Sequence, residues 1–161
     1  MRVALYARVS TSEQTTENQV RRLKSYVAAQ GWDDYEIIEE QESTKKTRPK
    51  KTDLLRRLRA REFDTVVIWK LDRWARSLSE LVLELTELHN SGIVFVSVSD
   101  GIDLSSATGR LQFQILGAFA EFERELNSER TKAGLERAKA KGKRLGRPKG
   151  SKDIKKRKRR A

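Results

Sequence analysis

Short runs of apolar, β-prone residues alternate along this chain with segments of helical periodicity. The β-prone runs occupy residues 2–8, 35–39, 65–69 and 93–98, and amphipathic segments of helical length separate them. Strands that alternate with helices in this way are typical of right-handed crossovers between parallel strands. We therefore expect an α/β fold, a three-layer sandwich around a mostly parallel sheet of four or five strands.

Several local signals mark where the helices begin. Thr16 with Gln19 and Ser77 with Glu80 have the spacing of capping boxes. In a capping box, the side chain of the first residue accepts a hydrogen bond from the amide of the fourth, and the side chain of the fourth accepts one from the amide of the first. Residues 41–51 are polar and basic, with a proline near the end, and are interpreted as a mobile loop. The helix after this loop is expected around three leucines, Leu54, Leu55 and Leu58.

A much longer helical pattern runs from about residue 108 to about residue 141 and carries two apolar stripes. One stripe consists of Leu111, Ile115, Phe119, Phe122 and Leu126, and the other of Phe113, Leu116 and Ala120. A helix that is apolar on two sides must bury both of them. We expect one stripe to cover its own domain and the other to contact a partner chain. The alternative is that both stripes face a single core.

The positive charge of the chain is concentrated at its C-terminus. Residues 1–131 hold 20 Lys+Arg and 21 Asp+Glu, whereas residues 132–161 hold 15 Lys+Arg and two acidic residues. A nearly neutral body with a basic tail indicates a polyanionic partner, with DNA favoured over RNA and over an anionic membrane. The alternative is a tail that serves only solubility. The sequence has no cysteine, no apolar run of membrane-spanning length and no secretory signal, so we expect a cytoplasmic protein.

Several common catalytic sites have no counterpart in the sequence. There is no Walker A loop, no G-x-G-x-x-G and no H-E-x-x-H, and the single histidine, His89, is expected to be a solvated residue at a helix end. The acidic group Glu39, Glu40 and Glu42 is interpreted as a polar strand end and not as a metal site. We therefore expect neither a metal nor a cofactor.

Serine, arginine and aspartate residues remain, and they follow the ends of predicted strands. Ser10 follows the first strand; Lys70, Asp72 and Arg73 follow the third, with Arg76 one turn later; Asp100 follows the fourth. Because parallel strands end at one edge of a sheet, these residues should converge there. Guanidinium groups bind phosphate, and a serine among them is a plausible nucleophile. Structural salt bridges would explain some of the same charges.

Four segments taken together resemble the resolvase/invertase family of serine recombinases. They are YARVSTS at 6–12, WKLDRWARS at 69–77, TGRLQFQILGAFAEFERE at 108–125, and ERT at 129–131. The segments lie in the order found in that family and cover residues 1 to about 150. The combination is far more specific than any one of its parts.

The resemblance implies a mechanism and a role for each site residue. Ser10 would attack the DNA backbone, forming a covalent 5′-phosphoseryl intermediate. The residues around the scissile phosphate would be Arg8, Arg48, Arg73 and Arg76. The residues that position them would be Gln14, Gln19, Asp72, Asp64 and Glu129. Members of the family cut two duplex sites, exchange strands by subunit rotation and religate without metal or nucleotide. The long helix would form the dimer and the tetramer of the synaptic complex.

The sequence departs from the family pattern at two places. After the second strand, Glu40-Gln-Glu-Ser43-Thr stands where Asp-x-x-Ser-Gly is usual, which leaves the acidic role of Glu40 open. Family members usually continue after Gly-Arg-Pro with a helix-turn-helix domain, but the residues after Gly146-Arg147-Pro148-Lys149 show no apolar periodicity, so we do not expect such a domain among them. We therefore expect a catalytic domain over residues 1–141 and a basic DNA-contacting tail over residues 142–161. The expected DNA contacts are Arg130, Lys141, Lys143, Arg144, Arg147 and Lys149.

Other interpretations remain open at this point. Gln19 is as well explained as a helix cap as by an active-site role, and Asp72 could serve only to orient Arg73 or Arg76. Trp69 and Trp74 are better explained by packing than by stacking on bases. The expected function is site-specific recombination, namely inversion, resolution, or excision and integration of a mobile element. The rival functions are a non-catalytic regulatory dimer descended from a recombinase and a DNA nuclease.

Overall fold

The structure is a computed structural model, and it describes residues 1–9, 16–41, 48–143, 145 and 146. Strands and helices alternate through these residues. The strands are β1 (Val3–Val9), β2 (Tyr35–Gln41), β3 (Thr65–Ile68), β4 (Val94–Ser97) and β5 (Ile102–Asp103). The helices are α1 (Glu17–Ala29), α2 (Pro49–Arg59), α3 (Leu71–Trp74), α4 (Leu78–Asn90) and α5 (Ala107–Ala140).

The strands form one sheet in the order β2-β1-β3-β4-β5. β1 pairs in parallel with β2 and β3, β3 pairs in parallel with β4, and only β5 is antiparallel to its neighbour. The carboxyl ends of β1 to β4 therefore lie at one edge of the sheet, which is where ligands bind in folds of this kind. The mostly parallel sheet expected from the sequence is confirmed.

Helices cover both faces of the sheet, which makes the fold a three-layer sandwich. On one face, Leu23 and Val27 of α1 pack against Val3, Leu5 and Val67. On the other face, α2, α4 and the first part of α5 contribute to a larger core. The large buried side chains of that core include Tyr6, Leu54, Leu58, Trp74, Leu85, Leu88 and Phe95. Every residue of β1 is buried, so this strand lies in the interior of the first unit.

The helix α2 begins earlier than the sequence pattern predicts. Residues 41–51 were expected to form a loop, but β2 extends to Gln41 and α2 starts at Pro49. Proline suits the first turn of a helix because its missing N–H would have no intrahelical partner there. Lys51 consequently lies within a helix and not in a loop.

Three of the described helices are followed by a left-handed glycine that redirects the chain. Gly31, Gly92 and Gly142 have positive φ and follow α1, α4 and α5. After α5, the Gly142 amide donates to the Lys139 carbonyl at 2.9 Å and the Lys143 amide to the Ala138 carbonyl at 3.0 Å, the hydrogen bonds of a Schellman motif. These bonds satisfy carbonyls that the helix itself leaves unpaired.

The chain divides into two compact units, Met1–Glu121 and Phe122–Ala161. In the first unit, Phe113 and Leu116 of α5 pack against the core, whereas Leu111, Ile115 and Phe119 are 56%, 48% and 58% exposed. The two predicted stripes of α5 thus differ in burial, as expected for a helix with one outward-facing apolar side. In the described part of the chain, no helix is both long and apolar enough to span a membrane.

Candidate active site

Arg8 joins the end of strand β1 to the short helix α3. Its side chain is 8% exposed. Its Nε donates to the Arg73 carbonyl at 3.0 Å and its Nη2 donates to the Asp72 carbonyl at 2.8 Å. A buried guanidinium needs such acceptors, because an unsatisfied buried charge is costly. These two hydrogen bonds hold the carboxyl end of β1 against α3.

Gln19 holds the backbone of Arg8 from the other side. The Arg8 amide donates to Gln19 Oε1 at 3.2 Å, and Gln19 Nε2 donates to the Arg8 carbonyl at 2.9 Å. The expected capping box is wrong, since Thr16 makes no side-chain cap and its hydroxyl donates instead to the Glu39 carboxylate. Gln19 therefore fixes the strand two residues before Ser10 and does not cap its own helix.

Arg48 reaches the same region from the start of α2. It is 8% exposed, and its Nη1 donates to the Trp74 carbonyl at 2.7 Å. Trp74 is fully buried and packs edge-to-face on Tyr6 and Phe95, with ring centroids 5.5 Å and 5.4 Å away. The structural interpretation of Trp74 is thus the better one, and the carbonyl of this rigid residue anchors Arg48.

The residues after β3 are held by carboxylates. Asp100 Oδ2 accepts hydrogen bonds from the Leu71 amide at 2.7 Å and from the Ser97 hydroxyl at 2.6 Å, which ties α3 to the end of β4. Glu80 Oε2 accepts from the Arg76 amide at 2.9 Å. The Ser77 hydroxyl accepts from the Glu80 amide, as expected for the cap of α4. The positions of Arg73 and Arg76 therefore depend on acidic residues of neighbouring elements.

Asp72 contributes to the site mainly through its backbone. Its side chain is 62% exposed and lies 3.5 Å from Arg73 Nη2, whereas its carbonyl binds Arg8. An exposed ion pair of this kind stabilises a protein by about 0–1 kcal/mol. The carboxylate of Asp72 orients Arg73 only weakly.

A buried lysine close to this site was not predicted from the sequence. Lys51 is 3% exposed, and its Nζ lies 2.7 Å from Glu84 Oε2, 3.3 Å from Glu80 Oε1 and 4.9 Å from the centre of the Trp74 indole. Its amide donates to Glu40 Oε2 at 2.7 Å, and Glu40 is itself 2% exposed. Lys51 has the same helical spacing as Leu54 and Leu58, which would have placed it on the buried face of α2.

The two carboxylates around Lys51 respond differently to their surroundings. Burial raises the pKa of Glu84, and the ammonium of Lys51 only partly offsets this rise. Burial also acts to raise the pKa of Glu80, but the Arg76 amide and the Lys51 ammonium outweigh it, so that this pKa lies below its usual value. Glu80 is therefore the more readily ionised of the two carboxyl groups.

Asp64 does not join these residues. It precedes β3, at the amino edge of the sheet, where its Oδ2 accepts from the Arg2 amide at 2.7 Å and its carbonyl from the Val94 amide at 3.0 Å. Arg8 lies at the opposite, carboxyl edge. The structure does not bring Asp64 together with the arginines, and Asp64 connects the starts of the strands instead.

The remaining expected residues fall into two groups. Glu129, Arg130, Lys141 and Lys143 are exposed in the second unit of the chain, on α5 or just after it. Ser10, Gln14, Arg144, Arg147 and Lys149 lie outside the described residues.

Neither a metal centre nor a histidine site is evident in the part of the chain that the structure describes. It contains no cluster of three or more His, Cys, Asp or Glu side chains arranged to hold a metal ion. His89 is exposed at the last turn of α4. The Arg8 and Arg48 guanidinium groups both bind carbonyls of residues 72–74. A nearby open cleft of about 680 Å³ is lined by Val9, Pro49 and Lys50 but also by three glutamates, Glu17, Glu39 and Glu40. The guanidinium groups, and not this cleft, suit an anionic substrate with phosphoryl oxygens.

Comparison with known proteins gives the family. The family model for the resolvase N-terminal domain matches residues 3–144. The chain is 46% identical to a DNA-invertase of Enterobacteria phage P7 over 143 residues, which are 88% of this chain and 73% of that protein. It is 42% identical to the Tn2501 transposon resolvase of Escherichia coli over 149 residues, 91% of this chain and 76% of that one.

A solved structure agrees with this result. The N-terminal catalytic domain of the TP901-1 integrase matches with a TM-score of 0.71 and 35% identity, over 79% of this chain and 99% of that domain. The sequence and fold comparisons thus agree on the family. The chain belongs to the resolvase/invertase family of serine recombinases.

Proposed function

We propose that this serine recombinase cuts and rejoins double-stranded DNA through an ester between the Ser10 hydroxyl and a 5′-phosphate. The observation that carries the proposal is the pair of hydrogen bonds from Arg8 to the Asp72 and Arg73 carbonyls. They connect the strand that leads directly to Ser10 with the helix that carries Arg73. A serine next to such a group of cations has the surroundings that a phosphoryl-transfer nucleophile needs.

The proposed reaction is a transesterification. The Ser10 oxygen forms a bond to phosphorus, the bond from phosphorus to the 3′ oxygen breaks, and the serine proton leaves as the 3′ hydroxyl forms. In the reverse step a 3′ hydroxyl of the exchanged strand attacks the ester and releases the serine. Each step exchanges one phosphate ester for another, so the reaction needs neither ATP nor a redox cofactor.

Arginine side chains would stabilise the charge that builds up on the phosphoryl oxygens. Arg48 is anchored on Trp74 and Arg8 on α3, so that neither side chain needs to reorganise during the reaction. Arg73 and Arg76 extend from the segment that these contacts fix. Gln19 holds β1, and we assign Gln14 and Glu129 to positioning on the basis of the family resemblance alone.

We assign the assembly and the DNA contacts to the C-terminal part of the chain. Residues 1–141 would form the catalytic domain, which pairs through the exposed apolar side of α5 into a dimer and, on two sites, a tetramer. Residues 142–161 would follow the duplex backbone through charge, together with Arg130 and Lys141. The products would be inversion, resolution, or excision and integration, and the reaction would take place on cytoplasmic, nucleoid DNA.

Trapping the covalent intermediate tests the proposal. A nicked half-site duplex loses its short leaving strand after cleavage, so the protein should remain attached to the DNA under denaturing conditions. The adduct should form without added metal and should disappear in Ser10→Ala while DNA binding persists. Cleavage that requires metal and leaves no adduct would favour a nuclease. Binding without cleavage by the unmodified protein would favour a regulatory dimer.

A further inference from the structure

The buried Lys51 cluster lies directly behind the arginine residues but has no part in the chemistry proposed above. Its members are Lys51, Glu80, Glu84 and the indole of Trp74. A lysine is rarely buried unless it is paired, and an apolar side chain would fill the same space on α2 at lower cost. The charge of Lys51 therefore requires an explanation other than packing.

Two of the three partners of the Lys51 ammonium, Glu80 and Trp74, are each one hydrogen bond from a proposed phosphate ligand. Glu80 uses one carboxylate oxygen for Lys51 and the other for the Arg76 amide, at 2.9 Å. Trp74 offers its ring to Lys51 and its carbonyl to Arg48 Nη1, at 2.7 Å. The ammonium group thus contacts Trp74 directly and is linked to Arg76 through the carboxylate of Glu80.

The amide of Lys51 adds a link to the edge of the sheet. It donates to Glu40 Oε2 at 2.7 Å, and Glu40 lies opposite Arg8 in the parallel register of β1 and β2. The backbone of Lys51 is therefore tied to β2, while its side chain is tied to α4 and Trp74. The residue spans the three elements that surround the arginine group.

We propose that Lys51 is a positioning residue that holds the segment from Trp74 to Arg76, and through it Arg48 and Arg76, in the orientation that grips the scissile phosphate. This proposal rests on the proposed function. It predicts that removing the charge of Lys51 affects the rate of the covalent step more than it affects folding or DNA affinity. Small displacements of a positioned group can reduce a rate by about 100-fold.

The test compares two variants of the full chain with the unmodified protein. Lys51→Met removes the ammonium, and Lys51→Met combined with Glu84→Gln also removes the carboxylate that would otherwise be left buried without its partner. If the first variant fails to fold, the second variant still tests the proposal. Lys24→Met, at an exposed position of α1, is the matched control. The measurements are the rate of adduct formation on the nicked duplex, duplex affinity by gel shift, and the urea unfolding midpoint.

We expect the double variant to fold and to bind DNA as the unmodified protein does, while its adduct forms about 10- to 100-fold more slowly. Lys24→Met should form adduct at the unmodified rate. In an Arg76→Lys background, Lys51→Met should cause little further loss, because both changes act through one segment. A purely structural role would give the same fold-loss in either background.

The outcomes separate this inference from the function on which it rests. If the unmodified protein forms the adduct and both Lys51 variants form it equally fast, the positioning role is refuted and the recombinase chemistry stands. The positioning role is refuted as well if the rate losses caused by Lys51→Met and by Arg76→Lys multiply when the two changes are combined. If the unmodified protein gives no adduct, the proposed chemistry fails first, and the role of Lys51 fails with it.

Discussion

The side chains of the site are held mostly by main-chain groups. Arg8 and Arg48 donate to the carbonyls of residues 72, 73 and 74, and Gln19 binds both backbone groups of Arg8. Main-chain carbonyls of packed elements move less than the ends of long side chains. The arginines can therefore be preorganised before DNA arrives, which is the condition under which fixed charges are most effective.

Gln19→Ala should weaken both folding and catalysis. The substitution removes two hydrogen bonds to Arg8, each of which contributes about 0.5–1.5 kcal/mol. We expect a loss of about 1–3 kcal/mol in the free energy of unfolding and a slower covalent step, since the strand before Ser10 is released. Urea unfolding and the adduct rate measure the two effects. Gln30→Ala, at an exposed position at the end of α1, serves as the control; equal losses in both variants would contradict the role of Gln19.

At the scale of single residues, the sequence predicted which residues form the site better than it predicted their contacts. Arg73 and Arg76 were expected at one edge because they follow the third strand, and Arg8 was placed with them by the family resemblance. The hydrogen bonds from Arg8 to the carbonyls of residues 72 and 73 bring these segments together. The spacing of Thr16 and Gln19 suits a cap and a strand contact equally well, and only tertiary packing decides between them. Lys51 was missed because its charge, among neighbouring basic residues, suggested a loop.

Among the elements, α5 starts where it makes its closest contact with the sheet. The Ser106 hydroxyl accepts from the Gly109 amide at 2.9 Å, and a Cβ placed on Gly109 would lie 1.9 Å from the Asp103 carbonyl oxygen. Only glycine fits against β5 at this distance. The first turn of the long helix is therefore fixed by a backbone approach and not by an apolar side chain.

Gly109→Ala should be clearly destabilising, whereas the same change further along the helix should not be. The new methyl group forces α5 away from β5, at a cost of about 1–3 kcal/mol. Gly134→Ala, where nothing lies within 4 Å, should instead stabilise the helix by about 0.5–1 kcal/mol. Thermal unfolding of both variants checks the contrast, and a stable Gly109→Ala would rule out the close approach.

The ion pairs between β2 and α2 predict a response to acid. Arg57 binds both carboxylate oxygens of Glu36, at 2.6 Å and 2.7 Å, and its hydrogen bonds hold the pKa of Glu36 below the ordinary value of 4.5. A carboxyl group with a lowered pKa stabilises the fold above its unfolded pKa, and this stability is lost as the pH falls through the folded pKa. Glu36→Gln should therefore flatten the decline of stability below about pH 5.

Urea midpoints measured at several pH values would show this effect. Glu123→Gln, at an exposed position of α5, should leave the pH profile unchanged. The prediction fails if the Glu36 variant and the unmodified protein lose stability in parallel as the solution is acidified.

Most elements could be predicted from periodicity, and the exceptions have physical reasons. The long strands and helices give several repeats of their period, which is why β1 and α4 agree with expectation. β5 and α3 have two and four residues, too few for a period to appear. The start of α2 was missed because proline, which begins this helix, is also a usual sign of a loop.

At the scale of the whole molecule, the exposed surface that the fold itself does not explain is an apolar side of α5. Leu111, Ile115 and Phe119 are about half exposed along one side of α5 within the first unit, and Phe122 is 56% exposed in the second. Large apolar side chains grouped on one side of a helix are typical of an interface. The positive charge lies elsewhere in the sequence, because the basic residues are concentrated after residue 131.

Phe119→Glu should convert a dimer into a monomer. Burying an aromatic side chain contributes about 1.5–3 kcal/mol, and in a symmetric dimer the loss occurs twice. Sedimentation analysis over a range of concentrations would measure the shift in dissociation constant. Leu83→Glu, on α4, is the control because Leu83 is 71% exposed but lies outside this stripe. An unmodified protein that stays monomeric at high concentration would refute the interface.

The anchoring of Arg8 has a consequence for how this site tolerates mutation. The oxygens that receive its guanidinium belong to the peptide backbone at positions 72 and 73, and no exchange of side chains can delete a peptide oxygen. A saturation mutagenesis scan would then show that Arg8 is sensitive to substitution, whereas no substitution at positions 72 or 73 would remove the carbonyl groups that bind it. The support of the reaction centre is thus inherited with the path of the chain, independently of which amino acids happen to occupy it.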